Sequence, residues 1–113
     1  MIEVNEYVRT KSGLIFKVNE IIYSEEYEDY YCKESFLLGD WKEEIVKHSK
    51  QLIDLIEVGD YVNGTRILDI TGDYVLTTEY NCCKQRLNNK IKTILTKESY
   101  MANCYKVGGE DEN

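Results

Sequence analysis

The chain has 113 residues, the length of one domain, and its 42% apolar and 31% charged content excludes a disordered segment. No run approaches the ~18 consecutive apolar residues of a membrane helix, and Met1-Ile2-Glu3-Val4 lacks the basic region and apolar stretch of a signal peptide, so an intracellular, cytoplasmic chain is expected. The formal net charge of −7 disfavours a polyanion as main partner, because long-range repulsion reduces encounter.

In chain order, Val4 to Val8 predicts a first strand, and Lys11-Ser12-Gly13 a turn. Leu14-Ile15-Phe16-Lys17-Val18 is a β-branched and aromatic strand that Ile21-Ile22-Tyr23 is expected to extend. Residues 24–35 alternate charge with aromatics. Tyr27, Tyr30 and Tyr31 fit one helical face at i, i+3, i+4, and Tyr30-Tyr31-Cys32 equally fits the start of a strand, so both readings stay open. Phe36-Leu37-Leu38 is apolar, Gly39-Asp40 marks a turn, and Trp41 is expected to anchor this excursion.

Ile45 to Ile56 is read as strand. Val58 to Ile70 is a hairpin, with Asn63-Gly64 as a type I′ turn dipeptide. Thr71-Gly72-Asp73 gives another turn and Tyr74 to Thr78 another strand; Glu79 to Lys90 reads as a loop. Ile91 to Leu95 is a strand with Ile91 and Leu95 toward the core, and Thr96 is placed to N-cap a short helix over Lys97–Met101 with Glu98 in its first turn. An acid followed by Tyr-Val recurs at Glu6-Tyr7-Val8, Asp60-Tyr61-Val62 and Asp73-Tyr74-Val75, each acid closing a turn and each aromatic opening a strand. The expected architecture is mainly β: a small SH3-like barrel of five to six strands with an acidic insertion and one short C-terminal helix. Residues 1–107 form this single domain, with the insertion at about 23–44, and 108–113 form an acidic tail.

Charge is segregated along the chain. Residues 20–44 hold nine acids and two bases; residues 80–106 hold six bases and one acid. Glu25, Glu26, Tyr27, Glu28, Asp29, Tyr30, Tyr31 and Glu34 form the candidate partner-binding surface. A solvated loop kept soluble by charge is the plain reading. The functional reading is a patch whose carboxylates stand where nucleic-acid phosphates would and whose tyrosines anchor a basic partner. Lys84, Arg86, Lys90, Lys92 and Lys97 form the alternative, a stretch able to track a nucleic-acid backbone or to balance the acidic run within the molecule or between copies of the chain.

Catalysis finds little support. His48 is the only histidine, and a nucleophilic pair would require one of Cys32, Cys82, Cys83 or Cys104 beside it. The four cysteines form no C-x-x-C pair, so reduced thiols rather than a metal site are expected. The seven glycines are scattered turn formers without a phosphate loop, and no cofactor is expected.

The stretch Ile45-Val46-Lys47-His48-Ser49-Lys50-Gln51-Leu52-Ile53-Asp54-Leu55-Ile56-Glu57-Val58-Gly59-Asp60-Tyr61-Val62-Asn63-Gly64 resembles a segment of small uncharacterised prophage proteins of Gram-positive bacteria. Glu6-Tyr7-Val8-Arg9-Thr10-Lys11-Ser12-Gly13 and Ile91-Lys92-Thr93-Ile94-Leu95-Thr96-Lys97-Glu98 resemble it in the same order, and together these cover about half the chain. Residues 23–44 and the Asn81–Asn89 loop depart from that family, and Ser99-Tyr100 stands where Gln-Phe is expected. The resemblance implies a mobile-element origin and a bacterial cytoplasmic setting. Small acidic proteins of that setting include inhibitors of host defence nucleases, anti-CRISPR proteins among them, which makes a CRISPR effector the implied partner.

Overall fold

The computed structural model describes residues 2–26, 29–32, 45–105 and 107. In chain order the strands are β1 (Tyr7–Thr10), β2 (Ile15–Lys17), β3 (Ile21–Ser24), β4 (Asp29–Cys32), β5 (Ile45–Ser49), β6 (Tyr61–Val62), β7 (Thr65–Thr71), β8 (Tyr74–Thr77), β9 (Asn81–Cys83) and β10 (Ile94–Leu95). A 3-10 turn covers Leu52–Leu55, helix α1 covers Lys84–Asn88 and helix α2 covers Lys97–Asn103. The fold is mainly β. One antiparallel sheet has the order β2-β1-β5, a second β10-β6-β7-β8-β9, and β3-β4 is a separate hairpin. No closed barrel is found among the described residues.

Both sheets begin with the same turn. Glu6 N donates to Glu3 O, and Asp60 N donates to Glu57 O. The residue before each acid has positive φ, 77° at Asn5 and 99° at Gly59, as a type II turn requires. That residue then donates to the facing strand, Asn5 N to Val18 O and Gly59 N to Ile67 O, while Val18 N and Ile67 N donate to the carbonyls of Glu6 and Asp60. Two residues thus oppose one, a bulge with its first residue in the left-handed region. Each acid's side chain also accepts from the backbone N–H three residues earlier, at 3.0 Å for Glu6 and 2.7 Å for Asp60. The acid-Tyr-Val echo is therefore a repeated device that turns the chain and delivers Val8 and Val62, both fully buried, to the core.

Other turns follow local chemistry. Asn63 and Gly64 both have positive φ, so the β6–β7 loop is the expected type I′ turn. Thr10 N bonds Leu14 O and Gly13 N bonds Thr10 O, so the β1–β2 hairpin has a three-residue loop closed by Gly13 at φ 93°. The core lies in two clusters. Ile53, Ile56, Val62, Ile67, Val75 and Leu87 fill the larger, beneath the five-stranded sheet. Val8 and Val18, with Phe16, Ile21 and Ile45 packed against them, fill the smaller.

Four local expectations are corrected. The strand over Ile45–Ile56 stops at Ser49, because a 3-10 turn puts Ile53 and Ile56, three residues apart, on one side. Ser49 Oγ donates to Asp54 Oδ2 and Asn88 Oδ1 accepts from Ile53 N, fixing that turn. Ile21–Ser24 does not extend β2; it pairs with β4 instead. The expected loop at Glu79–Lys90 contains β9 and α1, started by Thr77 Oγ1 accepting from Glu79 N and Tyr80 N and seated by buried Leu87. The last strand is short, and Leu95 is exposed while its neighbour Ile94 packs on the core. The Phe36-Leu37-Leu38 run, the Gly39-Asp40 turn, Trp41 and the tail 108–113 lie outside the described residues.

Candidate functional site: an acidic tyrosine hairpin on a charge-clamped scaffold

The expected partner surface falls on the β3–β4 hairpin, with Ile21 opposite Cys32, Ile22 opposite Tyr31, Tyr23 opposite Tyr30 and Ser24 opposite Asp29. Between the two open readings of this segment, the structure takes the strand. Ile21 packs against the Val8–Val18 cluster, which roots the hairpin in the smaller core. Further out, the directly opposed rings of Tyr23 and Tyr30 meet edge to face with centroids 5.0 Å apart. They remain 49% and 67% exposed, so an aromatic pair faces outward. Glu25 and Glu26 follow at the hairpin turn, both exposed. Tyr27, Glu28 and Glu34 lie outside the described residues, and of Asp29 and Tyr31 only the strand placement is described.

The residues of the basic stretch meet different surroundings. Lys84 lines a cavity of about 360 Å³ beside Ile53, Glu57 and Val75, whereas Lys92 lines a separate groove of about 290 Å³ beside Phe16 and Ile94. Lys97 Nζ is 2.8 Å from Glu57 Oε1. Arg86 and Lys90 are exposed. Among the described residues, no salt bridge joins Lys84, Arg86, Lys90 or Lys92 to any acid, and none engages Glu25 or Glu26. The acidic run and the basic run do not neutralise one another there.

Internal ion pairing centres instead on Arg9, a residue the sequence left unmarked. Its side chain is fully buried. Nη1 donates to Asp60 Oδ2 at 2.6 Å and to Leu55 O at 2.9 Å; Nη2 donates to Asp60 Oδ1 at 3.0 Å and to Glu98 Oε1 at 2.7 Å. Asp60, also fully buried, accepts from Glu57 N and from Lys97 N at 2.9 Å. The planar fork thus ties β1, the 3-10 turn, the start of β6 and helix α2 together. Burial works against the Arg9 charge, but hydrogen bonds to Asp60 and Glu98 outweigh it and raise its pKa. Arg9 Nε has no partner among the described residues. Its other guanidinium nitrogens, Nη1 and Nη2, each face a carboxylate, and Nη1 also a backbone carbonyl, so Arg9 acts as a clamp between these elements.

Helix α2 starts as its sequence predicts. Thr96 Oγ1 accepts from Ser99 N at 3.2 Å and donates to Gly13 O at 2.8 Å, so one hydroxyl caps the helix and fastens it to the β1–β2 loop. His48 Nδ1 lies 2.9 Å from Glu6 Oε1, so the only histidine is paired with a carboxylate. Cys82, Cys83 and Cys104 are free and half-buried. Among the described residues no cluster of three or more His, Cys, Asp or Glu is placed to hold a metal, and no helix is long and apolar enough to cross a membrane.

The clamp carries a pH dependence. Partial burial would raise the Glu57 pKa, but the Lys97 hydrogen bond and the charges of Arg9 and Lys47 outweigh this and hold it below the usual carboxylate range. A carboxyl lowered in the folded state contributes stability above its unfolded pKa of about 4.3, lost as pH falls through the folded value. Urea unfolding is therefore expected to show stability falling as the solution is taken from pH 5 to about pH 3. Glu57→Gln should flatten that slope and lower stability at pH 7; an unchanged slope would place the acid sensitivity elsewhere.

No family model, no curated protein and no solved structure matches this chain.

Proposed function

We propose that the chain is a non-catalytic binding protein whose acidic, tyrosine-bearing hairpin occupies a basic groove on a nuclease. Its setting is the bacterial cytoplasm, its source a phage or mobile element, and its target a host defence nuclease of the CRISPR type. The observation that carries this reading is the β3–β4 hairpin itself. It presents the exposed Tyr23–Tyr30 pair beside Glu25 and Glu26, carboxylates that no described lysine or arginine neutralises. Unpaired carboxylates on a surface raise the encounter rate with a basic groove, roughly 10-fold to 1,000-fold at low salt. Rigid aromatic rings then supply contact area at low entropic cost. The resemblance in residues 45–64 supports the mobile-element setting, and the hairpin belongs to the part that departs from it. The same reading takes the two sheets as walls of a small SH3-like barrel interrupted by the insertion at about 23–44.

The test is nuclease inhibition by wild type against a variant with Glu25, Glu26, Glu28 and Asp29 changed to Lys. Wild type is expected to inhibit, less strongly as salt rises. The reversed variant should lose inhibition while melting at a similar temperature. Full inhibition by the reversed variant would overturn the reading.

A further inference from the structure

We propose that the groove between β2 and β10 is a docking site for an extended acidic peptide, which adds as a strand to the open edge of β2. Among the described residues each of these strands is the outermost of its sheet: β2 pairs with β1 alone and β10 with β6 alone. Backbone hydrogen bonding alternates in direction along a strand. Leu14 O accepts from Thr10 N and Val18 N donates to Glu6 O, so both residues turn their backbone toward β1. Phe16, midway between them and opposite Val8, turns the same way. The N–H and C=O groups of Ile15 and Lys17 therefore point out of the sheet. Across the groove, Thr93 O accepts from Asn63 N, which leaves the Ile94 backbone facing outward from β10. Among the described residues these outward groups have no hydrogen-bond partner.

The groove holds about 290 Å³, and Phe16, Ile91 and Ile94 supply apolar surface. Among the described residues its charged lining consists of Lys17 and Lys92, with no carboxylate, in a chain of net charge −7. Open edges accept strands by main-chain bonding, with side-chain pockets setting the choice. Edge lysines discourage pairing between like basic strands, and here they select a strand whose acids alternate with apolar residues. Such a peptide would bond Ile15 and Lys17 through its backbone, turn apolar side chains onto Phe16 and Ile94, and set carboxylates beside Lys17 and Lys92.

The experiment is fluorescence polarisation on the full chain with a labelled peptide of about eight alternating Glu and Val residues, a typical strand length. Controls are the Lys-Val counterpart and the Glu-Val peptide N-methylated along one edge. Saturable binding is expected for the Glu-Val peptide, roughly tenfold weaker or more for both controls and for the K17E/K92E variant. Reversing Glu25 and Glu26 to Lys should leave it unchanged, which separates this site from the hairpin. Absence of saturable binding, or equal binding of the methylated peptide, would overturn the proposal. So would a dimer in sedimentation that K17E/K92E dissolves, which assigns the groove to a second copy. Displacement of the bound peptide from Lys17 and Lys92 by a short single-stranded oligonucleotide at lower concentration than unlabelled peptide would assign it to nucleic acid instead.

Discussion

Arg9→Met is expected to lower stability by about 3–5 kcal/mol, the cost of removing one partner from a buried pair. The substitution leaves Asp60 buried, with hydrogen bonds from Glu57 N and Lys97 N but no positive charge facing it. It also removes the donor to Leu55 O and releases Glu98. Against a typical total of about 5–15 kcal/mol, this is enough to leave much of the population unfolded at moderate temperature. Arg9→Lys should recover only part of the loss, since an ammonium offers a point charge where the fork reaches Asp60, Glu98 and Leu55 together. Changing Arg9 to Met and Asp60 to Leu in one chain should cost less than Arg9→Met alone, because no unpaired charge then remains. Urea unfolding of the three variants measures this. Equal stability of Arg9→Met and wild type would mean that the clamp contributes nothing.

Gly13→Ala carries the second large effect, about 2–4 kcal/mol from left-handed strain together with overpacking. Gly13 has φ 93°, and a Cβ there would collide with Thr96 Oγ1 and lie 2.7 Å from Glu98 Cβ. Both neighbours are committed: Thr96 caps α2 and holds Gly13 O, and Glu98 holds Arg9. Gly64→Ala separates the two contributions. Gly64 also has positive φ, 83°, but a Cβ there meets open space. Its loss should stay near the ~1–2 kcal/mol of left-handed strain alone. Thermal melts in which Gly13→Ala and Gly64→Ala fall by the same amount would rule out the collision.

What the sequence disclosed and what it concealed divide along physical lines. Turns whose chemistry is local were legible: Asn63-Gly64 and the Thr96 cap each depend on residues within a few positions, and both formed as expected. The acid-Tyr-Val echo was visible as well, though its hydrogen-bond pattern was not. The Arg9 clamp was illegible because strand alternation sets Arg9 opposite Val8 in side-chain direction, the usual sign of a solvent face. Here β1 is the central strand of its sheet, and the 3-10 turn and α2 cover the face that Arg9 occupies. Its partners lie 46 to 89 residues away, beyond any local pattern.

The candidate site was half legible. Its composition and charge stood out, but Tyr27, Tyr30 and Tyr31 fit helical spacing while Tyr30-Tyr31-Cys32 fits a strand, and the pairing of Tyr23 with Tyr30 across the hairpin settles the matter only in three dimensions. How the residues from Lys84 to Lys97 sit in space was illegible for a related reason. Helix α1 and strand β10 fold within that stretch, Lys84 and Lys92 line different cavities, and Lys97 is held by Glu57.

Capture from a bacterial lysate is the most direct test of the hairpin's role, comparing wild type with the chain in which Glu25, Glu26, Glu28 and Asp29 are Lys. Wild type is predicted to retain a basic nuclease that elutes with salt, and the reversed chain to retain none of it. Retention of that same nuclease by both chains would contradict the account.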